Sequence, residues 1–183
     1  MKKALGLVEF KTIPAAVYAV DEMLKASEIE LVFAAPICPG KYIAIVSGEV
    51  ANVGTSVKRA VEVGDTFLIS SYVIPNISET VMPAITGTLL GAEDIEALGL
   101  VETIAAVSAV KVGDIVAKAA NVRLLEIRLA RGLGGKGEVF FTGKLGDVEA
   151  AEKAAKNEMA EDGGIVSSVV IARPSKALIE AIN

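Results

Sequence analysis

The sequence predicts an α+β protein built from two tandem ferredoxin-like modules, each with the element order β-α-β-β-α-β. The first observation is an internal repeat, because Leu5-Gly6-Leu7-Val8-Glu9 recurs as Leu98-Gly99-Leu100-Val101-Glu102. The second is that short apolar runs alternate, in each copy, with segments whose apolar residues recur at helical spacing. Together they predict two antiparallel sheets, each covered by helices on one face.

The repeat extends over nearly the whole chain in order. Lys25-Ala26 matches Lys118-Ala119, Gly40-Lys41 matches Gly135-Lys136, and Ser70-Ser71 matches Ser167-Ser168, with an offset that grows from 93 to 95 to 97. Ordered matches of this length are not expected from chance similarity between two apolar segments. We therefore predict a first module at 1–93 and a second at 97–183, joined near 94–97.

The elements of the first module follow from local patterns. Apolar residues at 13, 17, 20 and 24 form a helical stripe, and Pro14 suits the first turn of that helix. The predicted strands are 5–10, 31–35, 42–46 and 67–74, and a second helix is predicted around 53–61. Because the module starts with its own first strand, we expect the unpermuted form of the fold.

The second module repeats this order. Strands are predicted at 98–103, 124–129, 138–142 and 165–171, and helices at 106–120 and 147–159. Asp147 is predicted to be the N-cap of the latter helix, since its carboxylate can accept a hydrogen bond from a free backbone N–H. A further short helix is predicted after each module, at 78–86 and at 175–182.

Composition excludes several classes of function. The 183 residues carry a net charge of −5, contain no histidine and are 52% hydrophobic. The acidic balance argues against nucleic acid as a partner, and no apolar run is long enough to span a membrane. The absence of histidine removes Ser-His-Asp and Cys-His nucleophiles, so we do not expect an enzyme. The apolar excess predicts large subunit interfaces, and the single cysteine agrees with a reducing, cytoplasmic location.

Several polar positions admit more than one interpretation. The glycine-rich run 132–137 is not a phosphate loop, because Lys136 precedes Gly137 rather than Ser or Thr, so it is predicted to be a flexible turn between strands. Glu9 and Glu102 could form an acid–base pair, but structural or interface charges are favoured. Lys25 and Lys118 are either cations near helix C-termini or repeated contacts at an assembly edge.

The single cysteine lies in the stretch Pro36-Ile37-Cys38-Pro39-Gly40-Lys41. Proline and glycine on either side of a cysteine predict a stiff, exposed turn, although a free cysteine is often a small buried hydrophobe. The equivalent turn of the second module carries no cysteine. One thiol cannot hold an iron–sulfur cluster, whereas three copies of the chain around a threefold axis would offer three thiolates.

The repeated Leu-Gly-Leu-Val-Glu strand, the Asp-x-x-x-Lys-Ala stretches at 21–26 and 114–119, and the Ile-Ala-Arg-Pro run at 171–174 resemble bacterial microcompartment shell proteins. Two modules in one chain resemble the tandem-domain class of that family. The Ile-Cys-Pro-Gly-Lys turn at 37–41 is similar to that of its propanediol-utilisation group. The resemblance covers almost the entire chain.

The resemblance implies a flat, pseudohexameric homotrimer that tiles with other shell proteins into the shell of a microcompartment. Cys38 from each chain would bind a shared [4Fe-4S] cluster at the central pore. The pore rim would be formed by Pro39, Gly40 and Lys41 together with Leu133, Gly134 and Gly135. The assembly edge would carry Lys25, Lys118 and Arg173, with Asn76 of the first module in the place of that arginine.

The leading functional hypothesis is therefore a shell subunit that transfers electrons across the shell, with an encapsulated or cytosolic redox enzyme as a partner. In one alternative, the pore conducts a metabolite and holds no cluster. In another, the chain is a ligand-sensing trimer, because ferredoxin-like modules also serve as regulatory domains.

Overall fold

The structure is a computed structural model that describes residues 4–86, 95–130 and 132–182. The chain divides into two compact units. Unit 1 consists of Met1–Ile77, Ala105–Val107 and Ala130–Gly135, and unit 2 consists of Ser78–Ile104, Ser108–Leu129 and Lys136–Asn183. The predicted end of the first module at 93 and the first residue of the predicted junction, residue 94, lie outside the described residues. The module limits drawn from the repeat stay a prediction.

Unit 1 contains the elements predicted for the first module, with slightly wider bounds. They are β1 (Ala4–Phe10), α1 (Ile13–Ala26), β2 (Glu30–Ile37), β3 (Lys41–Gly48), α2 (Val50–Gly64), a 3-10 turn (Asp65–Phe67) and β4 (Leu68–Ile74). The strands form one antiparallel sheet in the order β2-β3-β1-β4. This is the sheet order of a ferredoxin-like module, and the unpermuted element order is confirmed.

Both helices of unit 1 pack on the same face of its sheet, and the alternation along β1 explains how. Ala4, Val8 and Phe10 point into the core shared with α1 and α2. Gly6 lies on that same face, where a Cβ atom would come within 2.7–2.8 Å of side chains of Val53 and Val57. The glycine of the repeated Leu-Gly-Leu-Val-Glu strand is therefore needed for close helix–sheet packing.

Unit 2 repeats the arrangement. After α3 (Val81–Ile85), it contains β5 (Ala97–Thr103), α4 (Ala106–Ala119), β6 (Val122–Leu129), β7 (Gly137–Gly143), α5 (Leu145–Glu158), β8 (Ile165–Ala172) and α6 (Lys176–Ala181), although the first two residues of α4 belong to unit 1. Its antiparallel sheet has the order β6-β7-β5-β8. None of the helices in the described residues has the length and apolar composition to cross a membrane.

Two local predictions are wrong in detail. Helix α5 begins at Leu145 with Lys144 as its N-cap, so Asp147 lies inside the first turn, where the helix dipole still favours its carboxylate. The segment predicted as a helix over 78–86 is helical only over Val81–Ile85. Its first residues form a turn instead, because the N–H of Ser78 donates to Asp114 and its carbonyl accepts the N–H of Val81.

The edge strands β2 and β6 differ sharply in burial. Leu31 is 41% exposed, whereas its counterpart Leu124 is 9% exposed. In unit 2, α3 packs against β6, and Ile179 and Ile182 pack on a buried cluster that includes Leu125. The backbone of the α6 end is also tied to β6, because the Arg128 guanidinium donates to the carbonyl of Ile182.

Candidate functional site at the cysteine turn

The stretch 36–41, which we call the cysteine turn, contains the connection from β2 to β3. It exposes the thiol of Cys38, as the sequence predicts. The N–H of Gly40 donates to the carbonyl of Ile37 at 3.0 Å and closes the turn. The Cys38–Pro39 peptide bond is cis, and Gly40 has a φ of 92°, a conformation that favours glycine. The hydrogen bond between Gly40 and Ile37 therefore holds the backbone on both sides of the thiol.

Lys41 ends this turn and points inward. Its Nζ lies 2.9 Å from Oε1 of Glu9, a side chain with no solvent exposure, and it also donates to the carbonyl of Gly135 at 3.2 Å. The other carboxylate oxygen of Glu9 accepts the N–H of Val107 at 3.1 Å. All four residues belong to unit 1. The buried charge of Glu9 is thus compensated by an ammonium group and by the backbone at the start of α4.

The second turn spans Gly132–Gly135 and packs on the first. Gly132, Gly134 and Gly135 all have positive φ, and Gly135 is buried. A Cβ atom on Gly135 would lie 2.9 Å from the Nζ of Lys41 and 3.0 Å from the carbonyl oxygen of Cys38. The structure therefore brings Cys38, Lys41 and Gly135 together, and the second turn fits only because residue 135 has no side chain.

Unit 2 contains the same ion pair in a more open environment. The Nζ of Lys136 lies 3.0 Å from Oε1 of Glu102, and the two side chains are 43% and 27% exposed. In the first pair, the exposed fractions are 20% for Lys41 and zero for Glu9. Because each glutamate is paired with a lysine, the geometry favours the structural interpretation of these acids over an acid–base pair.

Sequence reasoning missed this pairing, although a signal was present. Glu9 and Lys41 both recur in the second module as Glu102 and Lys136, at matched places in the repeat. Strands β1 and β3 are antiparallel neighbours, and Phe10 lies opposite Tyr42, so Glu9 and Lys41 flank a paired position. A repeated acid and a repeated base at the ends of adjacent strands could have indicated an ion pair.

Metal ligands are scarce in the part of the chain that the structure describes. In residues 4–86, 95–130 and 132–182, no group of three or more His, Cys, Asp or Glu side chains could hold a metal ion. Cys38 is the single cysteine of the sequence. One chain therefore supplies one sulfur ligand, and a metal cluster at this turn needs ligands from other copies.

The predicted edge lysines occupy equivalent positions and pair with equivalent aspartates, which differ in burial. Lys25 forms an exposed ion pair with Asp21, and the hydrogen bond and charge of that carboxylate raise the pKa of Lys25. The Nζ of Lys118 lies 2.5 Å from Asp114, whose other oxygen accepts the N–H of Ser78. The aspartate of the second module is nearly buried, whereas that of the first is half exposed.

The other two predicted edge residues share one backbone conformation. Asn76 and Arg173 have φ values of 51° and 48° and are both exposed, each just beyond the last strand of its module. The N–H of Arg173 donates to the carbonyl of Glu96 at 2.8 Å. The repeat is thus maintained in the backbone here while the side chain differs, and the roles of all four residues at an assembly edge stay a prediction.

Comparison with known proteins identifies the family. The BMC domain model matches residues 4–77 and 97–174. The bacterial microcompartment shell protein PduT of Citrobacter freundii is 33% identical over 178 residues, which cover 97% of this chain and 96% of PduT. The crystal structure of a microcompartment protein from Desulfitobacterium hafniense superimposes with a TM-score of 0.83 at 36% identity, covering 98% of this chain and 99% of that one.

A fused permuted hexameric shell protein from the RMM microcompartment has a TM-score of 0.66 at 21% identity, over 87% of this chain and 84% of that chain, and shares the fold. The chain belongs to the BMC-domain family and is a bacterial microcompartment shell subunit with two BMC domains in tandem. Within that family it is similar to PduT, over nearly the full length of both proteins. The resemblance noted from the sequence is thereby confirmed.

Proposed function

We propose that this shell subunit forms a homotrimer whose central pore binds a [4Fe-4S] cluster through Cys38 of each copy, and that the cluster passes electrons across the shell. The observation that carries the proposal is the exposed Cys38 thiol on a turn with a fixed backbone. The similar turn in the sequence of the propanediol-utilisation group supports it as well.

The ligand chemistry fits such a cluster only in an oligomer. Iron–sulfur clusters are held by several cysteine thiolates, and each chain contains one cysteine. Three chains would supply three thiolates, and the cluster would supply one-electron transfer. The rim around it would consist of the predicted residues Pro39, Gly40, Lys41, Leu133, Gly134 and Gly135, with the three second turns contributing no sulfur.

The proposed trimer would join other shell proteins through edges that include Lys25, Lys118 and Arg173. Asn76 would make the edge of the first module different from that of the second. Electrons would be exchanged with a redox enzyme inside the microcompartment or in the cytosol. Family membership supports the shell role over the ligand-sensing alternative.

Anaerobic purification tests the cluster. Wild type should contain about four irons per three chains, with the EPR signal of a reduced [4Fe-4S] centre, and Cys38→Ser should lose both. Pro36→Ala is the matched control, because it changes an exposed residue of the same segment and keeps the thiol. Equal iron in wild type and Cys38→Ser would rule the cluster out, and native mass spectrometry would report the trimer separately.

A metabolite-conducting pore without a cluster is the second candidate. The shell role that family membership supports agrees with such a pore as well. Wild-type protein that is trimeric but free of iron after strictly anaerobic handling would favour this candidate. Cys38→Ser would then leave the permeability of the assembled shell to small metabolites unchanged.

A further inference from the structure

We propose that the Glu102–Lys136 pair is a binding site for the cysteine turn, residues 36–41, of a second copy of this chain. We call this binding site the seat. In this contact the Nζ of Lys136 donates to the carbonyl of Gly40 in the neighbouring copy. The inference rests on the proposed homotrimer and deepens it, because it makes the position of each Cys38 turn depend on a residue from another chain.

The template for this contact is present in unit 1. There the Nζ of Lys41 pairs with Glu9 and also donates to the carbonyl of Gly135. The repeat relates Lys41 to Lys136 and Gly40 to Gly135. The observed contact therefore runs from a first-module lysine to a second-module turn. Its counterpart runs from the second-module lysine, Lys136, to a first-module turn, and in a closed ring of alternating modules that turn belongs to the next chain.

The exposure of the second pair agrees with a missing neighbour. Lys136 and Glu102 are 43% and 27% exposed, whereas Lys41 and Glu9 are 20% and 0% exposed. The chemistry of the two pairs is the same, and unit 1 contains the glycine turn that contacts the first pair. Placing an equivalent turn on Lys136 would remove the difference.

Gly40 supplies the complementary observation. Gly40 and Gly135 have φ values of 92° and 90°, so the glycine of each turn has the same left-handed φ. The space at Gly135 is filled by Lys41 and by the Cys38 carbonyl. Among the described residues, by contrast, no heavy atom beyond Gly40 and its two chain neighbours lies within 4 Å of a Cβ built on Gly40. The glycine of the first turn therefore has the same φ as Gly135, which contacts Lys41, and the space around Gly40 is open for a contact with Lys136 of another chain.

One difference between the two modules predicts that the contact between chains is weaker than the corresponding contact within unit 1. Glu9 accepts the N–H of Val107. The repeat places Pro14 at the position of Val107, and proline has no N–H to donate. Glu102 therefore cannot receive the corresponding backbone bond, and Lys136 alone has to hold the incoming turn.

Substitution of Lys136 tests the seat. Lys136→Met should raise the concentration at which the trimer dissociates by roughly tenfold or more, as expected for the loss of one charge-assisted hydrogen bond per interface. Lys136→Arg, which keeps a cationic donor, should restore most of the association. Sedimentation velocity over a dilution series measures both variants, and hydrogen exchange of 36–41 in the assembled protein should rise in Lys136→Met.

The measurements are made in the Cys38→Ser background as well, so that they do not depend on the cluster. An unchanged dissociation concentration in Lys136→Met, in a wild type that is trimeric, would overturn the seat while leaving the trimer intact. A wild type that remains monomeric at high concentration would overturn the trimer and the seat together.

Photo-crosslinking gives an independent readout of position. Lys136→p-benzoylphenylalanine should produce a two-chain product on a denaturing gel, with the crosslink mapped by mass spectrometry to 38–41 of the second chain. Lys144→p-benzoylphenylalanine is the control, because Lys144 is an exposed lysine of the same unit outside the proposed seat. Crosslinks from residue 136 that stay within one chain, or that map elsewhere on the second chain, would contradict the proposal.

Discussion

The turn at 36–41 and the turn at 132–136 occupy the same place in two copies of one module, yet they differ in chemistry and in surroundings. The first carries a thiol and ends in a lysine that reaches a fully buried glutamate. The second replaces the thiol with leucine, is rich in glycine, and ends in a lysine whose ion pair faces solvent. Within one chain, one copy of the turn therefore carries an exposed thiol, and the other copy packs against it without one.

The ion pairs offer the largest expected difference between the two copies. Lys41→Met would leave the Glu9 carboxylate buried with a single backbone donor, which should lower the free energy of unfolding by about 3–5 kcal/mol. Lys136→Met should change it by less than about 1 kcal/mol, since its pair is exposed. Denaturant unfolding at low protein concentration measures both. Equal losses would show that burial does not distinguish the two pairs.

The edge strands give the next contrast. Leu124→Ala in β6 should cost about 2–5 kcal/mol, because the leucine is buried under neighbouring elements of unit 2. Leu31→Ala, its counterpart in β2, should cost less than about 1 kcal/mol in the separate chain, because that leucine is already 41% exposed. Thermal unfolding of the two variants is the measurement. A cost for Leu31→Ala that appears only in the assembled protein would show that a partner covers β2.

Gly6 and Gly99, the glycines of the repeated strand, pack against different side chains in the two modules. A Cβ on Gly99 would lie 2.3 Å from the ring of Phe141, so Gly99→Ala should cost about 1–3 kcal/mol through overpacking. The first module has Val46 opposite Gly6, where the second has Phe141 opposite Gly99. Gly99→Ala combined with Phe141→Val should therefore be less destabilising than the sum of the two single variants. Strict additivity in this double-mutant cycle would contradict the close contact.

The smallest effects are expected from Glu152 and Glu138 of unit 2, whose pKa values are shifted in opposite directions. Burial raises the pKa of Glu152, but hydrogen bonds from Lys156 and Ser168 outweigh it, so the pKa lies below the ordinary 4.5. The stabilisation from this carboxylate is present above pH 4.5 and is lost as the pH falls below it. In Glu152→Gln, the free energy of unfolding should therefore fall less steeply as the pH drops below 4.5. The difference from wild type should be less than about 1 kcal/mol.

Glu138 behaves in the reverse sense. Burial raises its pKa, the charge of Arg128 opposes this, and the charge of Glu102 adds to it, so the pKa lies above 4.5. Its contribution favours the folded state below pH 4.5 and is lost as the pH rises through the raised pKa. Glu138→Gln should remove a small decline in stability just above pH 4.5. Unfolding curves at closely spaced pH values separate the two variants, and identical pH profiles would be inconsistent with these shifts.

Patterns that are local or repeated made most of the fold predictable. The matching strands of the two copies and the apolar spacing at 13, 17, 20 and 24 led to the correct element order, since periodicity depends only on neighbours in the chain. The buried face of α1 was nevertheless misplaced, because Ile13, Val17 and Leu24 are exposed and the core side is formed by Ala16, Ala19, Val20 and Met23. The N-cap of α5 was missed because side-chain preference favours Asp147 over Lys144, whereas the helix begins one turn earlier with Lys144 as its N-cap. The length of α3 was missed because the bond from Ser78 to Asp114 joins residues 36 positions apart.

The candidate site was only partly accessible to sequence reasoning for the same reason. The exposed thiol follows from Pro36, Pro39 and Gly40, which act on the turn that contains them. The contacts of Lys41 with Glu9 and Gly135 depend on which strands are neighbours and on how a distant turn packs, and neither is encoded within a short window. The repeat was the one signal that could have linked these residues before the structure was known.

Redesign of the proposed pore would have to respect the absence of a side chain at residue 135. Any substitution there would push on the Lys41 ammonium and on the Cys38 carbonyl, while the positive φ of the residue would add strain of its own. New ligands, charges or bulky groups could be introduced at Leu133, but a loop graft that replaces Gly135 would displace the cysteine turn. For protein engineering, the two turns therefore form one structural unit, and both have to be exchanged together.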